Sequence, residues 1–361
     1  MILERLSTHL LIQPSDIQPS DDRLEVVGTF NPGAVELDDG SVVLLVRVAE
    51  AVAEKREGMT ALPRWEDGQV KIDWIADEQL TFIDPRVVRL NQAATMRLTF
   101  TSHLRVLRLA DGISVDWAAL DSAPHIVPDN AMETFGIEDP RITPIDGTYY
   151  ITYVSVSPHG ACTSLMSSRD FDTYERHGVI LPPENKDVLL FPHRFHGQYL
   201  TLHRPNPSTH FHAPEMWLAW SEDLIRWGHH EPFFQETESA DWRIGRIGGG
   251  CPPIEIDGNW VEIYHGNNKR PGSANEDVGE YVGAAVMMDF DDPRKVIGYT
   301  SEPIMKPETD FEFEGFVPNV VFPTAAIDRG ETLLIYYGAA DANVGVVAWS
   351  KQQLIEALAR R

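Results

Sequence analysis

Apolar and polar residues alternate over short stretches along most of the chain, which is the pattern of strands that bury one face. Asp-Gly, Asn, Pro and Ser interrupt these stretches, as expected for the turns between strands. The clearest helical spacing lies at the C-terminus, where Leu354, Ile355 and Leu358 follow Ser350, a residue type that often caps a helix. The pattern therefore predicts an all-β protein with a short C-terminal helix over residues 350–361.

Five segments of the chain share one plan: a proline, a short strand, a turn that ends in glycine, and a second strand. The glycines fit tight hairpin turns, which need a positive φ that glycine adopts without steric cost. The segments are FNPGAVELDDGSVVLLVR, EDPRITPIDGTYYITYV, LFPHRFHGQYLTLHR, GCPPIEIDGNWVEIYHG and VVFPTAAIDRGETLLIYYG, and their turn glycines are Gly40, Gly147, Gly197, Gly258 and Gly330. This repetition indicates an array of similar multi-stranded sheets.

A repeat of roughly 50 to 70 residues that contains several strands is typical of a β-propeller. Five units predict a five-bladed β-propeller that forms a single domain over residues 1–361, with residues 1–24 as an N-terminal extension that packs on it. A weaker sixth unit, DPRVVRLNQAATMRLTF from Asp84, has the proline but no turn glycine, so six blades remain an alternative. A large β-sandwich is a further alternative, although it does not explain the repeated register.

The repeat also predicts where polar side chains meet. If the proline-led strand is innermost in each blade, the end of the following strand reaches one mouth of the central channel. Counting seven residues from each turn glycine gives Arg47, Arg204 and His265 in three units, and Val154 and Tyr337 in the other two. We therefore expect the three polar side chains to converge on one axial pocket.

The overall charge limits the partners of this protein. The chain carries 30 Lys+Arg and 55 Asp+Glu, a formal charge of −25. Nucleic acids and anionic membranes would repel such a molecule, so neither is expected as a partner. A small anion bound in a local basic pocket remains compatible with this charge.

The two cysteines, Cys162 and Cys251, are too few for a disulfide framework and fit a reducing compartment, although the sequence leaves their pairing open. The N-terminal residues lack the features of a secretory signal, and no apolar run approaches the roughly 18 residues of a membrane span. We therefore expect a cytoplasmic protein. Neither a metal-ligand spacing nor a nucleotide-binding fingerprint is found, so no metal and no cofactor is expected.

A pair of carboxylates, Glu138 and Asp139, begins a predicted inner strand in GIEDPRI. A carboxylate that is partly withdrawn from water near a channel mouth can have a raised pKa and act as a general acid. The alternative is an ordinary turn carboxylate that accepts backbone hydrogen bonds before Pro140. Residue type alone favours this alternative.

A cationic set comes from three predicted blades and comprises Lys186, Arg204, Arg246 and His265. Arg guanidinium groups match pairs of phosphate oxygens, and Lys adds a point charge. Any single Arg is more often paired with one of the many acidic residues. Four such groups at near-axial positions favour a site for an anion.

Eight motifs in order resemble those of glycoside hydrolase family 130: FNPGA, LLVRVAE, TFGIEDPRI, ENKDVLLFP, LHRP, RIGGGCPPI, YHG and YYGAAD. They extend from about residue 25 to the C-terminus. The resemblance implies a five-bladed β-propeller and makes the Asp84 segment an elaboration. Most members of the family are inverting β-mannoside phosphorylases, which use inorganic phosphate to release α-mannose 1-phosphate from a terminal β-mannosyl unit.

The resemblance also implies roles for particular residues. Asp139 of EDPR matches the general acid of the family. The matching phosphate ligands are Lys186, Arg204, Arg246, His265 and Tyr281. The positions that match those holding the mannosyl ring in the −1 subsite are Asn31, Arg47 and Asp341.

Three positions depart from the common pattern of the family. Lys186 stands where many members have Arg, which keeps the charge but loses the bidentate geometry. Asp187 stands where some members have Asn, and its carboxylate would repel phosphate unless it points away or pairs with a neighbour. Pro32 replaces a small polar residue of some relatives.

The motifs look most like those of members that act on β-1,2-linked mannobiose or oligomannan. Members that act on β-1,4-linked mannosyl-glucose or mannosyl-N-acetylglucosamine share the same core motifs and remain an alternative. An inverting β-1,2-mannosidase, which would lack the basic phosphate ligands, and a non-catalytic sugar-binding propeller are further alternatives. The expected partners are therefore a β-mannoside oligosaccharide and inorganic phosphate as a co-substrate, and the sequence leaves open a homo-oligomer.

Overall fold

Five antiparallel sheets form most of the protein in a computed structural model, which describes residues 2–93, 95–117, 125–206, 211–234, 240–269 and 278–359. In order of pairing, sheet 1 consists of β10 (His125–Ile126), β9 (Phe100–Leu109), β3 (Val42–Val52) and β2 (Leu24–Glu36). Sheet 2 consists of β11 (Gly136–Ile145), β12 (Thr148–Ser157), β13 (Gly160–Ser168) and β14 (Glu175–Leu181). Sheet 3 consists of β15 (Asn185–Phe195), β16 (Gln198–Pro205), β17 (Trp217–Ser221) and β18 (Gly228–Pro232).

The last two large sheets complete the body of the protein. Sheet 4 consists of β19 (Arg246–Gly248), β21 (Asn259–Asn267), β22 (Tyr281–Asp289) and β23 (Val296–Tyr299), with β20 (Ile254–Ile256) also paired to β21. Sheet 5 consists of β1 (Ser7–Ile12), β26 (Asn343–Ser350), β25 (Thr332–Ala339) and β24 (Val321–Arg329). The described residues therefore form five large sheets and not the two of a simple sandwich.

Smaller elements connect these sheets. A two-stranded and a three-stranded sheet follow β3, with strands β4 (Met59–Glu66), β5 (Gln69–Ala76), β6 (Leu80–Asp84), β7 (Val87–Leu90) and β8 (Met96–Leu98). Among the described residues, the α-helices are α1 (Asp310–Phe313) and α2 (Lys351–Ala359), and 3-10 turns cover Pro14–Asp16, Asp77–Gln79, Ala131–Glu133 and Asp241–Arg243. The prediction of an all-β protein with a short C-terminal helix is confirmed. No helix in the described ranges is long and apolar enough to cross a membrane.

The five turn glycines lie in hairpins, as the sequence predicts. They have φ values of 72° to 84° and join β2 to β3, β11 to β12, β15 to β16, β20 to β21, and β24 to β25. Only glycine adopts this region without steric cost. Each repeat of the sequence therefore corresponds to the hairpin that begins one large sheet.

The first strands of the repeats face one another. β2 contacts both β11 and β24, and β11 contacts β15. In sheet 4 the second strand of the hairpin, β21, makes the corresponding contact with β24. Apolar side chains fill the space between adjacent sheets; one cluster combines Leu189 and Phe191 of β15 with Val282 and Ala284 of β22. This packing brings the polar residues of several first and second strands into one region.

The segment that begins at Asp84 spans the turn from β6 to β7 and belongs to the three-stranded sheet. It therefore does not form a sixth four-stranded repeat. At the N-terminus, β1 pairs with β26 in antiparallel register, so sheet 5 contains strands from both ends of the chain.

Candidate functional site

A cavity of about 480 Å³ lies among sheets 1 to 5 and contains most of the polar residues that the sequence selects. Its lining includes eight of the nine candidate site residues: Asn31, Arg47, Asp139, Lys186, Arg204, Arg246, Tyr281 and Asp341. The ninth, His265, lies behind this lining, and its ring is 4.2 Å from that of Phe322 and 5.9 Å from that of Tyr281. The structure therefore brings all nine residues together.

The residues seven positions after the turn glycines behave as the repeat predicts. Arg47 and Arg204 line the cavity, and His265 lies directly behind it. Val154 is buried opposite Glu138 of β11. The hydroxyl of Tyr337 is buried and donates a 2.6 Å hydrogen bond to Oε1 of Glu312. Two of the three polar residues therefore line one cavity, and the third lies next to it.

Asp139 belongs to a buried network of hydrogen bonds and ion pairs. Its Oδ1 accepts from Nδ2 of Asn31 at 2.9 Å and from Nη1 of Arg47 at 2.8 Å. Nη2 of Arg47 donates to Oε1 of Glu138 at 2.7 Å. Nζ of Lys186 lies 3.7 Å from Oε2 of Glu138. Arg47 thus binds both carboxylates and fixes the position of the one that the sequence selects as an acid.

The charge state of Asp139 differs from the expectation. Burial raises its pKa, but the charges of Arg47, Lys186 and Arg141 and the hydrogen bond from Asn31 outweigh burial, so the pKa is lowered. The expectation of a raised pKa is therefore wrong. An anion beside Lys186 would offset the field of this lysine and move the pKa upwards, towards that of a proton donor.

A repeated irregularity of the backbone carries three of the polar residues. Asn31, Asp139 and Asp187 have φ values of 48°, 49° and 55°, and the pairing of β2, β11 and β15 shifts register beside each of them. Asn and Asp tolerate this left-handed conformation better than other non-glycine residues. A bulge changes the direction of a side chain. The repeats did not predict these bulges, although an Asn or Asp stands in the first strand of each of the three hairpins.

Asp187 holds an arginine. Its Oδ2 accepts a hydrogen bond from Nε of Arg204 at 2.7 Å, and Nη2 of the same arginine lies 2.7 Å from this oxygen in an ion pair. Nε2 of His265 lies 3.5 Å from the same oxygen. All three side chains are buried. Burial would raise the pKa of Asp187, but Arg204 and the other nearby cations outweigh it and lower the pKa. The carboxylate therefore pairs with a neighbour, which removes the repulsion expected for a lone acid beside phosphate.

His265 is neutral in this site. Burial lowers its pKa to about 3, and Arg204, Arg141 and Arg246 act in the same direction while Asp187 opposes them. In the described part of the chain, neither ring nitrogen has a hydrogen-bond partner. A neutral imidazole has one N–H donor, so His265 can offer one hydrogen bond to an anion.

Glycine is required where the glycine-rich segment passes this cluster. Gly248 of β19 is paired with His265 of β21. A Cβ atom at Gly248 would lie 2.5 Å from Oδ2 of Asp187 and 2.8 Å from Nε of Arg204. The absence of a side chain lets β19 approach the buried ion pair and places Arg246, two residues earlier, at the cavity.

Arg86 is a cavity residue that the sequence analysis did not select. Its Nη2 lies 3.2 Å from Oδ2 of Asp84, and its Nη1 lies 3.6 Å from Oδ2 of Asp341. Burial raises the pKa of Asp341 more than Arg86 and Arg47 lower it. The turn between β6 and β7 therefore reaches the cavity. The proline of the Asp84 segment marked a turn, but nothing in the sequence placed that turn near Asp341.

Metal ligands and disulfides contribute nothing to this cavity in the described residues. No group of three or more His, Cys, Asp or Glu among them could hold a metal ion. Cys162 and Cys251 are both buried and unpaired. The lining of the cavity supplies carboxylates, guanidinium groups, lysine ammonium groups and the phenol of Tyr281.

Comparison with known proteins identifies relatives of this chain. A sequence profile of glycoside hydrolase family 130, described as β-1,4-mannooligosaccharide phosphorylase, matches residues 76–360. The chain is 36% identical over 350 residues to the β-1,2-mannobiose phosphorylase of Listeria innocua serovar 6a. The aligned region covers 95% of this chain and 95% of the Listeria protein. It is 37% identical over 241 residues to the 1,2-β-oligomannan phosphorylase of a Thermoanaerobacter species, covering 65% of this chain and 74% of that one. The solved structure of the Listeria innocua enzyme in complex with β-1,2-mannobiose matches with a TM-score of 0.86 at 34% identity and covers 96% of both chains.

Proposed function

Because the chain belongs to glycoside hydrolase family 130, we propose that it is an inverting β-mannoside phosphorylase. It transfers a terminal non-reducing β-mannosyl unit to inorganic phosphate and reversibly releases α-D-mannose 1-phosphate and the shortened sugar. The proposed substrate is β-1,2-mannobiose or a β-1,2-oligomannan, which the names of the Listeria and Thermoanaerobacter relatives support. The observation that carries the proposal is the buried Asp187–Arg204–His265 cluster, of which Asp187 and Arg204 line the same cavity as Asp139.

The proposed fold is a five-bladed β-propeller that forms one catalytic domain over residues 1–361. The five large sheets would be its blades, and the first strand of each would face the central axis. The contacts among these first strands and the repeated hairpins support this arrangement. Residues 1–24 would be an extension that packs on the propeller.

We also propose a cytoplasmic location. The two buried, unpaired thiols support it, because free thiols are typical of a reducing compartment.

The proposed phosphate site is a set of cationic and polar side chains from sheets 3 and 4: Lys186, Arg204, Arg246, His265 and Tyr281. Together they would orient the phosphate and offset its charge as it approaches the sugar. Arg204 is preorganised by Asp187, so little side-chain entropy remains to be lost on binding. Nε and Nη2 of Arg204 face Asp187, and Nη1 makes only a long bond of 3.5 Å to Oδ1 of Asn206. The second N–H of Nη1 is therefore a donor that an oxygen of phosphate can use.

The proposed mannosyl site involves Asn31, Arg47 and Asp341, which line the same cavity. The oxygen of phosphate would attack C1 as the glycosidic C1–O bond breaks, with inversion at C1. The leaving oxygen takes a proton from Asp139, directly or through a hydroxyl of the mannose. Hydrogen phosphate loses its proton when the new C1–O bond has formed, so mannose 1-phosphate leaves as a dianion. This proton returns to the carboxylate of Asp139, and the reaction is balanced.

The alternative reaction is hydrolysis. An inverting hydrolase uses a second carboxylate to activate water, with the two carboxyl groups about 6.5–9.5 Å apart. Here Asp187, which lies among the proposed phosphate ligands, is already hydrogen-bonded and ion-paired to Arg204. A carboxylate that is held ionised by a guanidinium is a poor base, so this pairing favours phosphate over water as the nucleophile.

The deciding experiment is incubation of the protein with β-1,2-mannobiose in the presence and absence of phosphate. We expect mannose 1-phosphate and one mannose per bond cleaved, only with phosphate. Equal release of mannose without phosphate, and no mannose 1-phosphate, would instead identify a hydrolase. Parallel assays with β-1,4-mannosyl-glucose and β-1,4-mannosyl-N-acetylglucosamine test the linkage.

A further inference from the structure

A second cavity of about 460 Å³ lies beside the proposed active site. Phe100 and Phe316 line both cavities, and their rings meet edge to face with centroids 5.9 Å apart. The remaining walls come from the ends of β2 and β3, the segment around Met59, and Trp74 of β5. The two cavities are therefore adjacent and share this aromatic pair.

The second cavity combines apolar surface with a polar rim. Its apolar lining consists of Val27, Ala51, Val52, Met59, Ala61, Trp74, Phe100 and Phe316. Its polar lining consists of Glu25, Glu54, Lys55, Arg56, Thr60 and Thr99. This combination suits a sugar ring, which has apolar C–H faces and hydroxyl groups along its edges, better than it suits a wholly apolar ligand.

A planar pair of side chains lies in this cavity. The guanidinium carbon of Arg56 is 3.9 Å from the centroid of a ring of Trp74. Nε and Nη2 of Arg56 donate to the carboxylate of Glu54, which holds the guanidinium plane in place. Arg56 is exposed and Trp74 is half-buried, so a ligand can reach the pair from solvent. The pair offers a flat surface together with the N–H donor of Nη1.

We propose that the second cavity is a subsite for the distal mannosyl units of a β-1,2-oligomannan, an inference that rests on the proposed function. In phosphorolysis of a terminal unit, the scissile bond must lie near Asp139, so the other units extend towards the mouth of the first cavity. The Phe100–Phe316 pair is the part of the lining that the two cavities share. A volume of about 460 Å³ lies within the range of roughly 300–1,000 Å³ that is usual for small-ligand sites.

The test compares a short and a long substrate in single-residue variants. With wild-type protein and phosphate, we expect kcat/KM to be higher for β-1,2-mannotetraose than for β-1,2-mannobiose. Trp74→Ala should lower kcat/KM for mannotetraose about tenfold, because an aromatic contact is lost, and leave that for mannobiose within about twofold. Arg56→Ala changes an exposed residue, so it should fold normally and give a loss in the same direction.

The matched control is Trp117→Ala, since Trp117 is 47% exposed and lines neither cavity. This variant should leave both substrates unaffected. Equal losses for both substrates in Trp74→Ala and Arg56→Ala, or no loss for mannotetraose, would overturn the subsite. Failure of the wild type to turn over mannobiose with phosphate would overturn the proposed function itself, whereas turnover of mannobiose without any advantage for mannotetraose would overturn only the subsite.

Discussion

Single buried residues set the electrostatics beneath the proposed site. Glu262 of β21 is fully buried, and its Oε1 accepts from the backbone N–H of Gly250 at 3.0 Å. Its Oε2 has no hydrogen-bond partner among the described residues. Burial raises the pKa of Glu262 to about 8, although the bond from Gly250 and the charge of Arg141 oppose it. The folded protein therefore holds a protonated carboxyl at neutral pH.

The Glu262→Gln variant should alter how stability depends on pH. The folded-state pKa of about 8 lies above the ordinary 4.5, so the contribution of Glu262 to stability is full below pH 4.5 and is lost as pH rises through 8. Glutamine cannot ionise, so the free energy of unfolding should fall less between about pH 6 and pH 9 than in the wild type. Urea unfolding across this range measures the difference. An unchanged slope, or the same change in the exposed-site control Glu222→Gln, would contradict the assignment.

Arg204 should determine the affinity for phosphate. We expect Arg204→Ala to raise the KM for phosphate about 10- to 100-fold, because a charge-assisted hydrogen bond is lost, with a much smaller change in the KM for the mannoside. His265→Ala should act in the same direction. Steady-state kinetics with each substrate varied in turn measures the separation. The exposed Arg226→Ala variant is the control, and unchanged phosphate dependence in both site variants would refute the assignment.

At the scale of elements, the hairpin that begins each sheet positions the site. The bulges at Asn31, Asp139 and Asp187 interrupt the alternation of three first strands at equivalent places. In two of these hairpins the second strand supplies a cation beside the bulge: Phe30 pairs with Arg47, and Lys186 pairs with Arg204. In the hairpin of Asp139, Glu138 pairs with Val154 instead. One local geometry, repeated in different sheets, therefore places acids and bases next to each other.

At the scale of the whole molecule, the two ends of the chain meet in sheet 5. Beside β1, the buried Arg5 donates from Nη1 to Oε1 of Glu312 at 2.6 Å and from Nη2 to the carbonyl of Lys306 at 2.7 Å. The same Oε1 accepts from the hydroxyl of Tyr337 at 2.6 Å. This network links the N-terminal residues to the segment before β24 that contains Lys306 and Glu312.

Arg5→Ala should therefore weaken the entire fold. Removing one partner of a buried ion pair leaves the carboxylate of Glu312 without its cation, and such losses usually cost about 3–5 kcal/mol. Urea unfolding should show a lower midpoint. Arg23→Ala is the matched control, because Arg23 is half exposed in its pair with Asp21 and should cost less than about 1 kcal/mol. Equal stabilities of the two variants would show that the Arg5 network does not hold the sheet together.

The sequence by itself determined the class of fold and much of the composition of the site. Strand alternation, turn glycines such as Gly197 and the spacing from Gly197 to Arg204 are local features, and strand geometry carries them directly into the structure. The resemblance to the family indicated the remaining site residues. Their convergence in one cavity agrees with both lines of reasoning.

Only the tertiary structure decided how these residues act on one another. The pairing of Asp187 with Arg204, the lowered pKa of Asp139 and the approach of Arg86 to Asp341 join residues from different strands or sheets. Burial and the fields of neighbouring charges fix such properties, and both depend on packing among elements distant in the sequence. The sequence specifies which acidic and basic side chains are present, but the distances between these side chains are set only when the sheets pack together.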